Sequence, residues 1–123
     1  MIVVDTTVLI DVLRGHRPAL EWLQSLGTVP ACSELTRVEM VRGLRHAELA
    51  AGESLMRALQ WVAVDEEIGR RAGTLGRRWR RSHGIGTVDL VIAATAQHLD
   101  AALATSNVRH FPMFEHLEPP YAT

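Results

Sequence analysis

The residues of this sequence best suited to chemistry are three acids, Asp5, Glu39 and Asp89, joined late in the chain by Asn107. Each acid stands where an apolar stretch gives way to polar residues or just inside a helix start. From such positions side chains reach the crevice beyond the carboxyl ends of an α/β sheet. If the four converge, the site is rich in oxygen donors and strongly negative. Two carboxylates about 4 Å apart repel by about 4 kcal/mol at an effective dielectric near 20, so three together require protonation or a bound cation. Oxygen-only donor sets select hard divalent ions, Mg²⁺ or Mn²⁺, over zinc. The chemistry such ions serve is attack of an activated water on a phosphodiester.

Each acid also has a plainer use. Asp5 is a polar strand end able to bond local N–H groups. Thr36 and Glu39 have the Thr-x-x-Glu spacing of a capping box. Asp89, in a first helical turn, gains roughly 0.3–1 kcal/mol from the helix macrodipole.

The elements that must position these acids alternate between strand and helix. Ile2, Val3 and Val4 form a continuous apolar run ended by Asp5, as suits a central strand covered on both faces. Val8, Leu9, Val12 and Leu13 then fall on one helical face, and Gly15 supplies a C′ stop. Pro18 and Gly27 bracket a second helix with Ala19, Leu20, Leu23 and Leu26 inward. Residues 28–32 read as a strand despite Pro30, and 36–45 as a helix burying Val38, Val41 and Leu44. A helix over 47–59, a strand over 61–64, and a helix capped by Asp65 and running to about Ser82 follow. Thr87 caps a helix to Leu99 that buries Leu90, Val91 and Ala94, and 101–105 is the fourth strand. Such alternation predicts a small parallel sheet sandwiched between helices.

A chain of 123 residues forms one domain, 1–123, with a single core. The hydrophobic share of 47% contains no run long enough to span a membrane. The opening lacks the basic residues and unbroken apolar segment of a signal peptide, so a cytoplasmic setting is expected. The single Cys32 reads as a small buried apolar residue. Net charge is −1, but all 13 basic residues are Arg, and Arg70, Arg71, Arg77, Arg78, Arg80 and Arg81 crowd together. Glu66 and Glu67 stand four positions before Arg70 and Arg71, whereas Arg77, Arg78, Arg80 and Arg81 have no acid within reach along the helix. Those four are candidates for contact with nucleic-acid phosphates.

The opening IVVDTTVLIDVLRG, the segments ELTRVEMVRGLR and GIGTVDLVIAATA, and the closing LATSNVRHF together resemble the PIN domain. In particular they resemble VapC-type ribonuclease toxins of bacterial toxin–antitoxin pairs. That resemblance covers nearly the whole chain and implies a three-layer α/β/α fold and a Mg²⁺-dependent endoribonuclease, with Mn²⁺ as a substitute. It places Asp5, Glu39 and Asp89 at metal-binding catalytic positions and Asn107 in the Thr105-Ser106-Asn107 motif. It further implies a VapB-like antitoxin partner and a homodimer. The sequence departs from the family at the fourth acid, where Asn107 and His110 stand instead, which puts a second ion in question. Two alternatives come from other classes: an aspartate-nucleophile phosphatase, which generally wants an acid where Thr7 stands, and a non-catalytic interaction module whose acids are only caps.

Overall fold

The strands β1 (Ile2–Val4), β2 (Ala31–Ser33), β3 (Gln60–Val62) and β4 (Ala102–Ala104) form one parallel sheet in the order β3-β2-β1-β4. The computed structural model describes residues 1–122, apart from the side chains of Arg80 and Arg81. Two of the four arginines expected to meet RNA thus lie outside the described residues. Among the described residues six helices surround the sheet: α1 (Thr6–Leu13), α2 (Arg17–Ser25), α3 (Glu34–Gly43), α4 (Leu49–Arg57), α5 (Glu66–His83) and α6 (Thr87–His98). Short 3₁₀ turns occupy His46–Glu48 and Val108–His110. None of the described helices is long and apolar enough to cross a membrane.

The apolar opening run follows from its place in the sheet. Val3, Ala31 and Leu103 point to one face, against Ile92, Ala93 and Ala96 of α6 and Phe111. Val4 and Cys32 point to the other, against Val8 and Leu9 of α1, Met40 of α3 and Met56 of α4. With both faces covered, β1 has no polar side to show. Each fully buried valine or leucine contributes about 1.5–3 kcal/mol. Cys32 belongs to this core, and burial pushes its thiol up to about 12, which leaves it inert.

The strand order decides where the site must lie. From β1 the chain passes to β2 on one side, and it returns at β4 on the other, so β1 and β4 border the switch point where a crevice opens beyond their carboxyl ends. Pairing runs from Ile2↔Ala102 to Val4↔Ala104, and the Asp5 N–H extends it by donating to the Ala104 carbonyl at 2.9 Å.

Several local expectations shift. Helix α3 starts at Glu34, not Thr36, because Ser33 caps it by accepting from the Leu35 N–H at 3.2 Å. Thr36 therefore lies buried inside the helix, and the Thr36–Glu39 capping box does not form. The helix turns inward through Thr36 and Met40, leaving Val38 57% and Val41 54% exposed rather than buried. Likewise Leu20 of α2 is exposed while Ala19 is buried. Strand β2 begins after Pro30, whose carbonyl accepts from the Gln60 N–H at 3.0 Å. Gly86, without a side-chain bond, is the N-cap of α6, so Thr87 is its first residue instead of its cap. Elsewhere the sequence reading holds: Asp65 accepts from the Ile68 N–H at 2.9 Å, and Gly15 ends α1 with φ +79°.

Candidate active site

A cleft of about 440 Å³ opens beyond β1 and β4, and Asp5, Glu39, Asp89 and Asn107 all line it. The four residues singled out from sequence are thus brought together, with Thr6, Thr7, Ile10, Asp11, Ser106 and His110 beside them.

Asp5 is the most firmly held. It is the N-cap of α1 and only 3% exposed. Its Oδ1 accepts from the Thr6 N–H at 2.8 Å, and its Oδ2 accepts from the hydroxyls of Thr7 at 2.9 Å and Thr105 at 2.7 Å. Thr105 in turn accepts from the Asn107 N–H at 2.9 Å, and Thr7 from the Ser106 N–H at 3.4 Å. Threonine hydroxyls therefore lace the end of β4 to the start of α1 around one carboxylate. The plain role of Asp5 as a helix cap is real, and it fixes the carboxylate at the cleft wall.

Glu39 comes from the middle of α3. Freed from the cap, its Oε1 accepts from the Thr6 hydroxyl at 2.6 Å, and the same Thr6 oxygen lies 3.2 Å from the Thr36 hydroxyl. Asp89, from the first turn of α6, lies with its Oδ2 2.9 Å from Nδ1 of His110. Asn107 Nδ2 is 3.5 Å from the same ring nitrogen. His110, outside the set drawn from sequence, is therefore the partner of one of its acids. With 23% of its side chain exposed, Asp89 has its carboxyl pushed above the usual range, first by burial and next by the charge of Asp5. The His110 bond opposes that rise, and Glu39 adds to it. Asp89 thus feels the charges of both other acids across the cleft.

The donors are oxygen except for the His110 ring, which fits a hard divalent ion better than zinc. Yet among the described residues no three His, Cys, Asp or Glu side chains are set closely enough to ligate an ion together. The shared cleft is still compatible with Mg²⁺, which keeps several waters and needs only one or two carboxylates directly. A spread set of acids, each already steadied by a hydroxyl or imidazole, suits a hydrated ion. An acid two residues after Asp5 would favour phosphatase chemistry; Thr7 occupies that position and hydrogen-bonds to Asp5.

Neither Arg77 nor Arg78 lines the cleft. Arg77 borders a separate groove between α5 and α6, and the Arg78 guanidinium lies 5.1 Å from the centre of the Trp79 ring. The i, i+4 pairs expected on α5 are present, Glu66–Arg70 at 2.9 Å and Glu67–Arg71 at 3.9 Å. Sequence reasoning missed Asp11, although its helical spacing from Thr7 put both on one face of α1.

Residues 2–115 match the family model described as the PIN domain. Ribonuclease VapC19 of Mycobacterium tuberculosis is 50% identical over 125 residues, spanning 98% of this chain and 100% of that protein. Ribonuclease VapC10 of the same organism is 47% identical over 126 residues, 99% and 94% of the two chains. Among solved structures, a toxin–antitoxin complex from Klebsiella pneumoniae contains a chain that superposes with TM-score 0.84 at 25% identity, with 100% of both chains covered.

Proposed function

This chain belongs to the PIN-domain family, and from that membership we propose that it is a divalent-cation-dependent endoribonuclease acting as the toxin of a toxin–antitoxin pair. The observation that carries the reading is the meeting of Asp5, Glu39 and Asp89 from three separate elements in one cleft. The names of the two ribonucleases at 50% and 47% identity support the reaction class. The similar chain in the Klebsiella complex supports a VapB-like antitoxin as partner. The proposal extends to a homodimer working in the cytoplasm.

In hydrolysis a water oxygen bonds to phosphorus, one ester P–O bond breaks, and the departing oxygen takes a proton. Mg²⁺, or Mn²⁺ in its place, supplies when bound an activated water and positive charge against the phosphoryl oxygens. The protein's share is arrangement. Asp5 cannot swing away, because three hydrogen bonds hold it. Thr6 steadies Glu39 and His110 steadies Asp89, so the acids need little reorganisation when charge arrives. The direct test incubates the purified chain with RNA in Mg²⁺ and in EDTA. Internal cleavage in Mg²⁺ alone is expected, and equal cleavage in EDTA overturns the cation role.

Asn107 offers a neutral carbonyl where an Asp would add a full charge, and hard-cation affinity rises with the charge of the ligand set. Asn107→Asp is therefore expected to tighten Mn²⁺ binding, to admit a second ion, and to lower stability without metal. Calorimetry that finds the same affinity and stoichiometry in both proteins removes Asn107 from the site.

Arg77 and Arg78 would counter the cleft's repulsion of RNA at a distance from it. Replacing both with Gln is expected to weaken RNA binding without stopping turnover at saturating RNA. For every RNA phosphate that is no longer neutralised, the salt dependence should flatten by about 0.7 of a unit in log–log slope. An unchanged slope makes the cluster an ordinary solvated face.

A further inference from the structure

Asp11 lies on the cleft-facing side of α1 with Thr7 and Ile10. Among the described residues no cation pairs with it, and its one side-chain partner is the Tyr121 hydroxyl, which donates to Oδ2 at 2.6 Å from 110 positions away. It also stands in the second half of α1, where the helix macrodipole disfavours negative charge. A tether for the distal segment needs only a neutral acceptor. A carboxylate here shares the cleft of Asp5, and among the described residues no cation balances its charge.

Tyr121 is itself well fixed. Its ring centre lies 5.4 Å from that of His16 and 6.4 Å from that of Trp22, and His16 Nε2 is 3.1 Å from the Ala122 carbonyl oxygen. Burial first, then the bond to Asp11 and the charges of Asp11 and Asp5, push its ionisation upward, so the hydroxyl stays a donor. Oδ2 is held by Tyr121, and Oδ1 has no hydrogen-bond partner among the described residues.

We propose that Asp11 is a further acid of the cation site, tethered at the cleft rim by Tyr121 and acting on the water shell of a hydrated divalent ion. The inference rests on the cation reading given above and supplies negative charge that Asn107 withholds. Outer-shell partners typically change metal affinity 10–100-fold when removed.

The test is a titration of the full chain with Mn²⁺ alone, following free ion by electron paramagnetic resonance. Asp11→Asn keeps an acceptor for Tyr121 while removing the charge. Tyr121→Phe keeps the ring while removing the tether. Glu21→Gln, an exposed acid on α2, controls for the general field, and Asp5→Asn marks loss of the site. Asp11→Asn is expected to weaken Mn²⁺ binding about tenfold with no fall in Tm, Tyr121→Phe by a smaller factor, and Glu21→Gln not at all. Wild-type affinity in Asp11→Asn, or equal weakening by Glu21→Gln, overturns the proposal while the cation reading stands. Wild-type protein that binds no Mn²⁺, with Asp5→Asn no different, overturns both.

Discussion

Asp5→Asn is expected to lower Mg²⁺-dependent RNA cleavage on the order of 10³-fold and to abolish Mn²⁺ binding, with the protein still folded. A bound cation lowers a phosphoryl-transfer barrier by several kcal/mol, and each 1.36 kcal/mol is about tenfold in rate. The choice of Asn over Ala comes from the hydrogen bonds. Asp5 caps α1 and takes two threonine hydroxyls at a place only 3% exposed. An amide keeps a capping oxygen, and the hydroxyls of Thr7 and Thr105 can turn to accept from its NH₂ group. Alanine removes the cap, at about 0.5–2 kcal/mol, and leaves buried donors unpaired at about 1–3 kcal/mol each. Asp5→Ala should therefore lose several degrees of Tm along with activity, so its inactivity alone would not separate catalysis from folding. Cleavage by Asp5→Asn within tenfold of wild type, at unchanged Tm, would remove Asp5 from the reaction.

The threonines that make this distinction necessary were not legible as a group in the sequence, and the reason is one of range. Local pattern shows what neighbours decide: the apolar run of β1, the stop at Gly15, the Asp65 cap and the pairing of Glu66 with Arg70 all hold. The parallel sheet followed from the alternation of strand and helix and from the continuous apolar run of β1. The phase of α3 did not follow. Its cap, Ser33, is the last residue of β2, so strand passes into helix with no loop to announce the change. Val38, Val41 and Leu44 recur at the spacing of one helix face, but the face that meets the core carries Thr36 and Met40, a choice made by the packing around α3 and not by its own apolar pattern. A helix start placed at Thr36 makes Glu39 look like a partner of Thr36's own cap, when its partner is Thr6, 33 positions away. Asp89 with His110 and Asp11 with Tyr121 are likewise pairs across 21 and 110 positions, which no local spacing encodes.

Asp89→Asn is expected to stabilise the metal-free protein at neutral pH while abolishing cleavage, and the sign follows from the direction of its titration. Burial, then the charge of Asp5, raise its carboxyl above 3.8 in the folded state, against the opposing bond from His110. A group whose pKa is higher folded than unfolded contributes stability that is present below the unfolded value and lost as pH rises through the folded one. Wild type should thus lose stability from this group as pH climbs above about 3.8, while the Asn variant has nothing there to ionise. Near or below that pH the two proteins should agree, because the protonated carboxyl and the amide are alike in charge and shape; at about pH 7 without metal the variant should be the more stable. Divalent cation should reverse the order, since an ion bound at about 100 times its Kd stabilises the folded state by about 2.7 kcal/mol and the variant forgoes that gain. Denaturation of both proteins near pH 4 and pH 7, in EDTA and in Mg²⁺, reads all four corners. A variant less stable than wild type at pH 7 in EDTA would mean that the bond to His110 outweighs burial and the repulsion from Asp5 and Glu39, and that Asp89 holds the α6 end in place.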